Sequence, residues 1–190
     1  MRERFEQQME ILHTELIELG ALCEQAIGRT YEVLLEGNQR AAEEIIKKDQ
    51  VVDAKEREIE DLCFRIILQQ QPVARDLRNI SSALKMVTDM ERIGDHATDI
   101  SELAIVLSKK TYVKKLDHIE EMAKETMVML IQSLEAFVEK DLDKAQKVIA
   151  HDDVVDDLFE KVKKELIALI RDHADEGEQA VDLLMVTKYF

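Results

Sequence analysis

Asp49-Gln50-Val51-Val52-Asp53 is answered 103 residues later by Asp152-Asp153-Val154-Val155-Asp156. The same shift sets Ala42 on Ala145, Ile46 on Ile149 and Glu36 on Glu139, and it lays the break at 36–39 over the break at 139–142. Leu16, Leu19, Cys23 and Ala26 fall on Ile119, Met122, Thr126 and Met129, so a helical stripe is copied along with the acidic segment. A period this long lies far beyond a solenoid unit, and it predicts one multi-helix module used twice.

Three helices make up the first copy. Phe5, Met9, Leu12, Leu16, Leu19, Cys23, Ala26 and Thr30 alternate steps of four and three, which is one buried stripe on a helix running to about Leu35. Glu36-Gly37-Asn38-Gln39 breaks it. A second helix runs from about Arg40 to about Leu68 through Ala42, Ile45, Ile46, Val52, Ile59, Cys63 and Ile66, and the only proline, Pro72, ends it. A third carries Ile80, Leu84, Val87, Glu91 and Gly94 on to about Leu107.

In the second copy, Ile119, Met122, Thr126, Met129, Ser133 and Ala136 mark the first helix, and Lys140-Asp141-Leu142-Asp143 the break. A further helix reaches about Asp172, Asp175-Glu176-Gly177-Glu178 makes a turn, and a last helix begins near Ala180. The expectation is an all-α protein of two tandem antiparallel three-helix bundles, residues 1–108 and 116–190, without strands. Lys109-Lys110-Thr111-Tyr112-Val113-Lys114-Lys115 is the basic connector, read as a solvated linker or a docking segment. The last helix is expected to be truncated at Phe190, leaving the second bundle incomplete at its C-terminal end.

Composition agrees with helices and restricts the partners. Of 190 residues 46% are hydrophobic and only 4% aromatic, and there are five glycines. A net charge of −15 argues against nucleic acid, whose phosphates need a basic surface, and against unaided binding to anionic lipid. No apolar run is long enough for a transmembrane segment, and Met1-Arg2-Glu3-Arg4-Phe5 opens an amphipathic helix instead of a signal core. Cys23 and Cys63 occupy apolar helical positions, as reduced buried thiols of a cytoplasmic protein would. His13, His118, His151 and His173 are isolated and read as surface or helix-end residues. No phosphate-cradling glycine loop, nucleophile elbow or Cys–His pairing is present.

Function therefore rests on acidic spacing. Glu91, Asp95 and Asp99 recur every fourth residue, stacking carboxylates on one helix face, and Glu102 extends the stripe. Like charges one turn apart destabilise a helix by roughly 0.2–0.5 kcal/mol per pair, and no lysine is interleaved here. Asp49, Asp53, Glu56 and Glu60 form a second stripe. Asp53 lies 19 residues before Pro72 and Glu91 19 after it, so an antiparallel hairpin brings the two stripes level, with Asp49 opposite Asp95. Two readings remain open, a solvated acidic face and a shared cation. Carboxylate oxygens suit Mg2+, Mn2+, Ca2+ or iron. By the repeat, Asp152 and Asp156 form half of a second site whose partners would lie past Phe190.

The run Glu91-Arg92-Ile93-Gly94-Asp95-His96, the two Asp-x-x-Val-Asp segments and the duplicated three-helix plan together closely resemble the PhoU family. The resemblance spans the whole chain. It implies an accessory protein of phosphate-specific transport and a negative regulator of the phosphate regulon. It also implies multinuclear metal clusters, with iron, zinc, manganese or magnesium as the candidate ions, held by Glu91 and Asp95 with Asp49 and Asp53, and by Asp152 and Asp156 as half of a second pair; Asp99, one turn along the stripe, is a candidate ligand from the spacing alone. The implied partners are the ATPase of the phosphate transporter and a membrane sensor histidine kinase, and a homodimer is left open. PhoU proteins repeat the E-R-I-G-D motif after a segment like Lys188-Tyr189-Phe190, and this chain does not contain that second motif. Three functions are weighed: a metal-binding regulatory adaptor with no chemistry of its own, a ferritin-like metal store or enzyme, and a plain helical scaffold. The ferritin type uses Glu-x-x-His pairs on facing helices, which neither stripe carries.

Overall fold

The computed structural model describes residues 2–109, 112 and 116–190. Among them the chain forms six α-helices and no strand: α1 (Arg2–Glu36), α2 (Gln39–Gln70), α3 (Arg75–Leu107), α4 (Asp117–Glu139), α5 (Leu142–Asp172) and α6 (Gly177–Tyr189). Five residues of the basic connector, Lys110, Thr111, Val113, Lys114 and Lys115, lie outside the described residues. Tyr112 is tied down, its hydroxyl donating to the Leu34 carbonyl at 2.7 Å.

The turns repeat as the sequence does. Gly37 ends α1 in the left-handed region, φ 62°, with its N–H on the Val33 carbonyl at 2.9 Å, a conformation that costs glycine little. Asn38 then caps α2 by accepting from the Ala41 N–H at 3.1 Å. A shift of 103 residues turns these into Lys140, φ 59°, and Asp141, which caps α5 by accepting from the Lys144 N–H at 2.9 Å. At the other end of the hairpin, α2 stops at Gln71, φ 46°, directly before Pro72, which supplies no N–H to continue a helix.

The sixth helix starts earlier than its sequence suggests. Ala174–Glu176 form a 3-10 turn, and Gly177, φ −56°, is already the first residue of α6. Two other expectations shift for packing reasons. Ser133 is exposed, while Ala123, Leu130 and Leu134 are buried in its place, so the inner face of α4 is rotated from the stripe read in the sequence. Ile149 is 74% exposed although its counterpart Ile46 is half-buried.

Two apolar clusters hold the helices, and both draw on both copies. One joins Leu34, Ala42, Ala104 and Leu107 to Ile119, Leu158, Leu166 and Leu183. The other joins Leu12, Leu16, Ile59, Ile66 and Ile80 to Ala123, Leu130 and Leu134 of α4. Thus α1 packs on α2, α3 and α4, and α3 packs on α2, α1 and α6. Both cysteines are buried and free, Cys23 donating to the Met90 carbonyl at 3.3 Å. Burial pushes the Cys23 thiol up to about 12 and the Cys63 thiol to about 11, which keeps both protonated and unreactive.

Candidate metal centre

The antiparallel hairpin of α2 and α3 brings the two acidic stripes together in the register expected from Pro72. Burial raises the Asp49 carboxyl above its ordinary value, and Asp53, Asp95 and Asp99 raise it further. Glu91 is raised by burial and then by Asp95, Glu56, Asp53 and Asp49, so it feels three carboxylates from the opposite helix. Glu56 is raised by burial, Glu60, Asp53 and Asp95, with Arg57 opposing. Five of the seven residues singled out from the sequence, Asp49, Asp53, Glu91, Asp95 and Asp99, therefore act on one another.

Glu56 belongs to the same constellation, though it was read only as part of the acidic stripe. The signal for it was present, since it sits three residues after Asp53 on the same face. Asp152 and Asp156 are exposed on α5 and are not among the groups acting on Asp49, Glu56 or Glu91. Asp152 borders a groove of about 430 Å³ with Asp89, Met129 and Phe190.

Little positive charge reaches the stripes. Arg92 and Lys85 both turn to Asp89, each at 3.6 Å. Arg57 stands 3.8 Å from Asp53 at the exposed edge, and His96 Nδ1 stands 3.8 Å from Asp99. The His96 ring lies 5.2 Å from that of Tyr189, and its Nδ1 is buried without a hydrogen bond. Two of the other histidines pair across α4 and α5, His118 with Glu165 at 3.0 Å and His151 with Glu125 at 2.5 Å.

Gly94 explains how closely the faces approach. A Cβ there would sit 3.0 Å from Asp49 Oδ1 and 3.0 Å from Val52 Cγ1, so α3 presents bare backbone where α2 crosses it. That is a steric reason for the glycine inside Glu91-Arg92-Ile93-Gly94-Asp95, one invisible in spacing alone. Asp49 Oδ1 is buried in this contact and accepts no hydrogen bond. An orphaned carboxylate oxygen in a crowd of carboxylates is costly unless a donor or cation meets it. The all-oxygen donor set is the chemistry a hard divalent cation takes. Among the described residues, however, no three His, Cys, Asp or Glu side chains are grouped so that they could hold a metal ion. The faces are opposed, but their carboxylates are not gathered about one point, the arrangement mutual repulsion favours.

The upward shifts have a sign that can be checked. A carboxyl whose pKa is raised by folding binds its proton more tightly in the folded state, so stability falls as pH rises from the ordinary carboxylate range through the shifted value. Metal-free protein should gain stability from Asp49, Glu56 and Glu91 at about pH 5 relative to pH 7. Asp95 acts on all three, so Asp95→Asn should raise stability at pH 7 by a few tenths of a kcal/mol per neighbour, the scale for like charges one helical turn apart. Thermal melts in chelator at both pH values test this, and a variant less stable than the parent at pH 7 contradicts it.

The comparisons with known proteins agree with this architecture. A family model described as the PhoU domain matches residues 16–104 and 119–190, the two copies of the repeat. A phosphate-specific transport system accessory protein PhoU homologue of Clostridium acetobutylicum is 39% identical over 189 residues, covering 99% of this chain and 86% of that protein. Its Aquifex aeolicus counterpart is 34% identical, covering 96% of this chain and 83% of that protein. The crystal structure of PhoU from Pseudomonas aeruginosa superposes with a TM-score of 0.91 at 26% identity, over 97% of this chain and 89% of that one. The phosphate transport system regulatory protein PhoU from Streptococcus pneumoniae superposes with a TM-score of 0.89 at 25% identity, over 97% of this chain and 87% of that one. With both halves matched and the fold shared, the chain belongs to the PhoU family.

Proposed function

We propose that this protein is a metal-binding regulatory adaptor that restrains phosphate-starvation signalling and phosphate uptake. The observation that carries the reading is the pair of opposed acidic faces on α2 and α3, in a chain whose relatives are named accessory proteins of phosphate-specific transport. Asp49 and Asp53 from α2 and Glu91 and Asp95 from α3 would hold the cations, with Asp99 one turn along. A bound divalent ion supplies compensation for the opposed charges and open coordination positions for an outside oxygen ligand. The chain's own residues do the positioning: Gly94 lets Asp49 approach α3, and the register about Pro72 sets Asp53 across from Glu91. Asp152 and Asp156 stand as half of a second, equivalent site.

The action is binding, without catalysis. The partners proposed are the transporter ATPase and a membrane sensor histidine kinase, met from the cytoplasmic side. No helix among the described residues is long and apolar enough to cross a membrane, so membrane contact in this reading runs through those partners. A second reading, a helical scaffold with solvated acidic faces, is favoured by the ungrouped carboxylates and is separated by metal analysis of the purified protein. The regulatory reading predicts that deleting the gene switches on phosphate-starvation genes even when phosphate is plentiful. Unchanged expression of those genes in the deletion strain would falsify it.

A further inference from the structure

The repeat also copies the hairpin tips, and there the two copies differ in charge. Residues 62–78, the tip between α2 and α3, carry three arginines and one acid; residues 165–181, the same span shifted by 103, carry five acids and one arginine. Apolar exposure is common to both. Leu68 and Val73 stand 77% and 74% exposed on the first tip, and Phe64 and its counterpart Ile167 are exposed in register with one another. Exposed apolar groups rimmed by charge mark interaction surfaces. Arg65, Arg75 and Arg78 are exposed and, among the described residues, outside any ion pair, as are Asp175 and Glu176 on the second tip.

The tips stand at opposite ends of the molecule. Gln8, near the start of α1, donates to Gln69 at 3.4 Å, which places the first tip there. Tyr31, near the end of α1, donates to Glu120 at 2.8 Å, and His118 beside it pairs with Glu165 at 3.0 Å, which places the second tip at the far end. The 35 residues of α1 make about 50 Å of helix between them. Against the first turn lies a cleft of about 840 Å³, with Met9 and Val73 on its apolar wall and Arg75 and Lys140 among its charges. Glu6, Glu10 and Asp76 line it too, so the preference for an acidic partner comes from the unpaired arginines of the tip.

Opposite charge on two apolar tips of one chain fits a single occupant, a second copy of that chain. We propose that the acidic tip of one copy, led by the 3-10 turn Ala174–Glu176, docks on the basic tip of another, so that the protein associates head to tail. A contact between unlike surfaces at opposite ends does not close on two copies, so growth is open-ended. The net charge of −15 opposes it, which makes the association weak and dependent on concentration.

Sedimentation equilibrium of the full chain in chelator tests this independently of the metal reading. The average mass should climb between about 10 μM and about 1 mM without a plateau at two chains. Arg75→Glu with Arg78→Glu, and separately Asp175→Lys with Glu176→Lys, should each weaken association at least about tenfold. The second pair makes the chain less acidic, so relief of general repulsion would strengthen association instead. An equimolar mixture of the two variants should recover association, since each brings the charge that the other has lost. Leu68→Glu with Val73→Glu, at exposed positions, should give the same loss, and decides the matter if a reversed variant loses helicity. The proposal is overturned if the parent stays monomeric to about 1 mM or stops at two chains. It is equally overturned if association survives either reversal unchanged, or if the mixture stays monomeric.

Discussion

Replacing Gly20 with leucine should destabilise the protein by about 1–2 kcal/mol, the cost of overpacking less the gain in helix propensity. Gly20 is buried on α1, and even a Cβ there would fall inside the van der Waals envelope of Leu134 Cδ1 on α4. Leu134 is itself 5% exposed, within the cluster that joins both copies of the repeat, and has little room to turn away. Leucine is the better helix former by about 0.8–1 kcal/mol, but forcing extra carbons into a closed core typically costs about 1–3 kcal/mol or more. For a chain of this length the midpoint of thermal unfolding should fall by roughly 2–8 °C. Adding Leu134→Ala to that variant should return at least half of the loss, because the pair restores the volume across α1 and α4. Strictly additive losses in the double variant would mean that the two side chains do not compete for that space.

The second large effect concerns the acidic faces. Glu91→Ala with Asp95→Ala removes two of the four proposed ligands, and divalent-metal affinity should drop at least about 100-fold, since losing even an outer-shell partner costs about 10–100-fold. The fold should survive. Glu91 is held above its ordinary protonation range by burial and four neighbouring carboxylates, so its removal relieves repulsion in metal-free protein. Circular dichroism should report the same helicity, and calorimetric titration with Mn2+ the lost affinity. Loss of helicity in the variant, with metal affinity retained by whatever remains folded, would make the stripe a structural device.

The fold was legible wherever local chemistry decides. Gly37-Asn38, Pro72 and Lys140-Asp141 each end or start a helix for reasons carried by one or two residues, and all three turns lie where the sequence puts them. Gly177 was misread as a breaker because a glycine's helical propensity is low, and tertiary context overrode it in α6. Harder to read was which face meets which. A stripe of apolar residues says that Leu16 is buried, but not that α1 meets α4 at Leu134 and carries one cluster across both copies. At the site, the register of Asp53 with Glu91 followed from counting residues about Pro72. The close approach at Gly94 did not, because it depends on the distance between two helix axes.

Anomalous diffraction from crystals grown with saturating Mn2+ tests the central claim most directly. The account predicts density between α2 and α3, about 2.0–2.6 Å from carboxylate oxygens of Asp49, Asp53, Glu91 and Asp95 drawn in around it. A saturated crystal with no anomalous density between these helices, and with the four carboxylates turned to solvent, would contradict it.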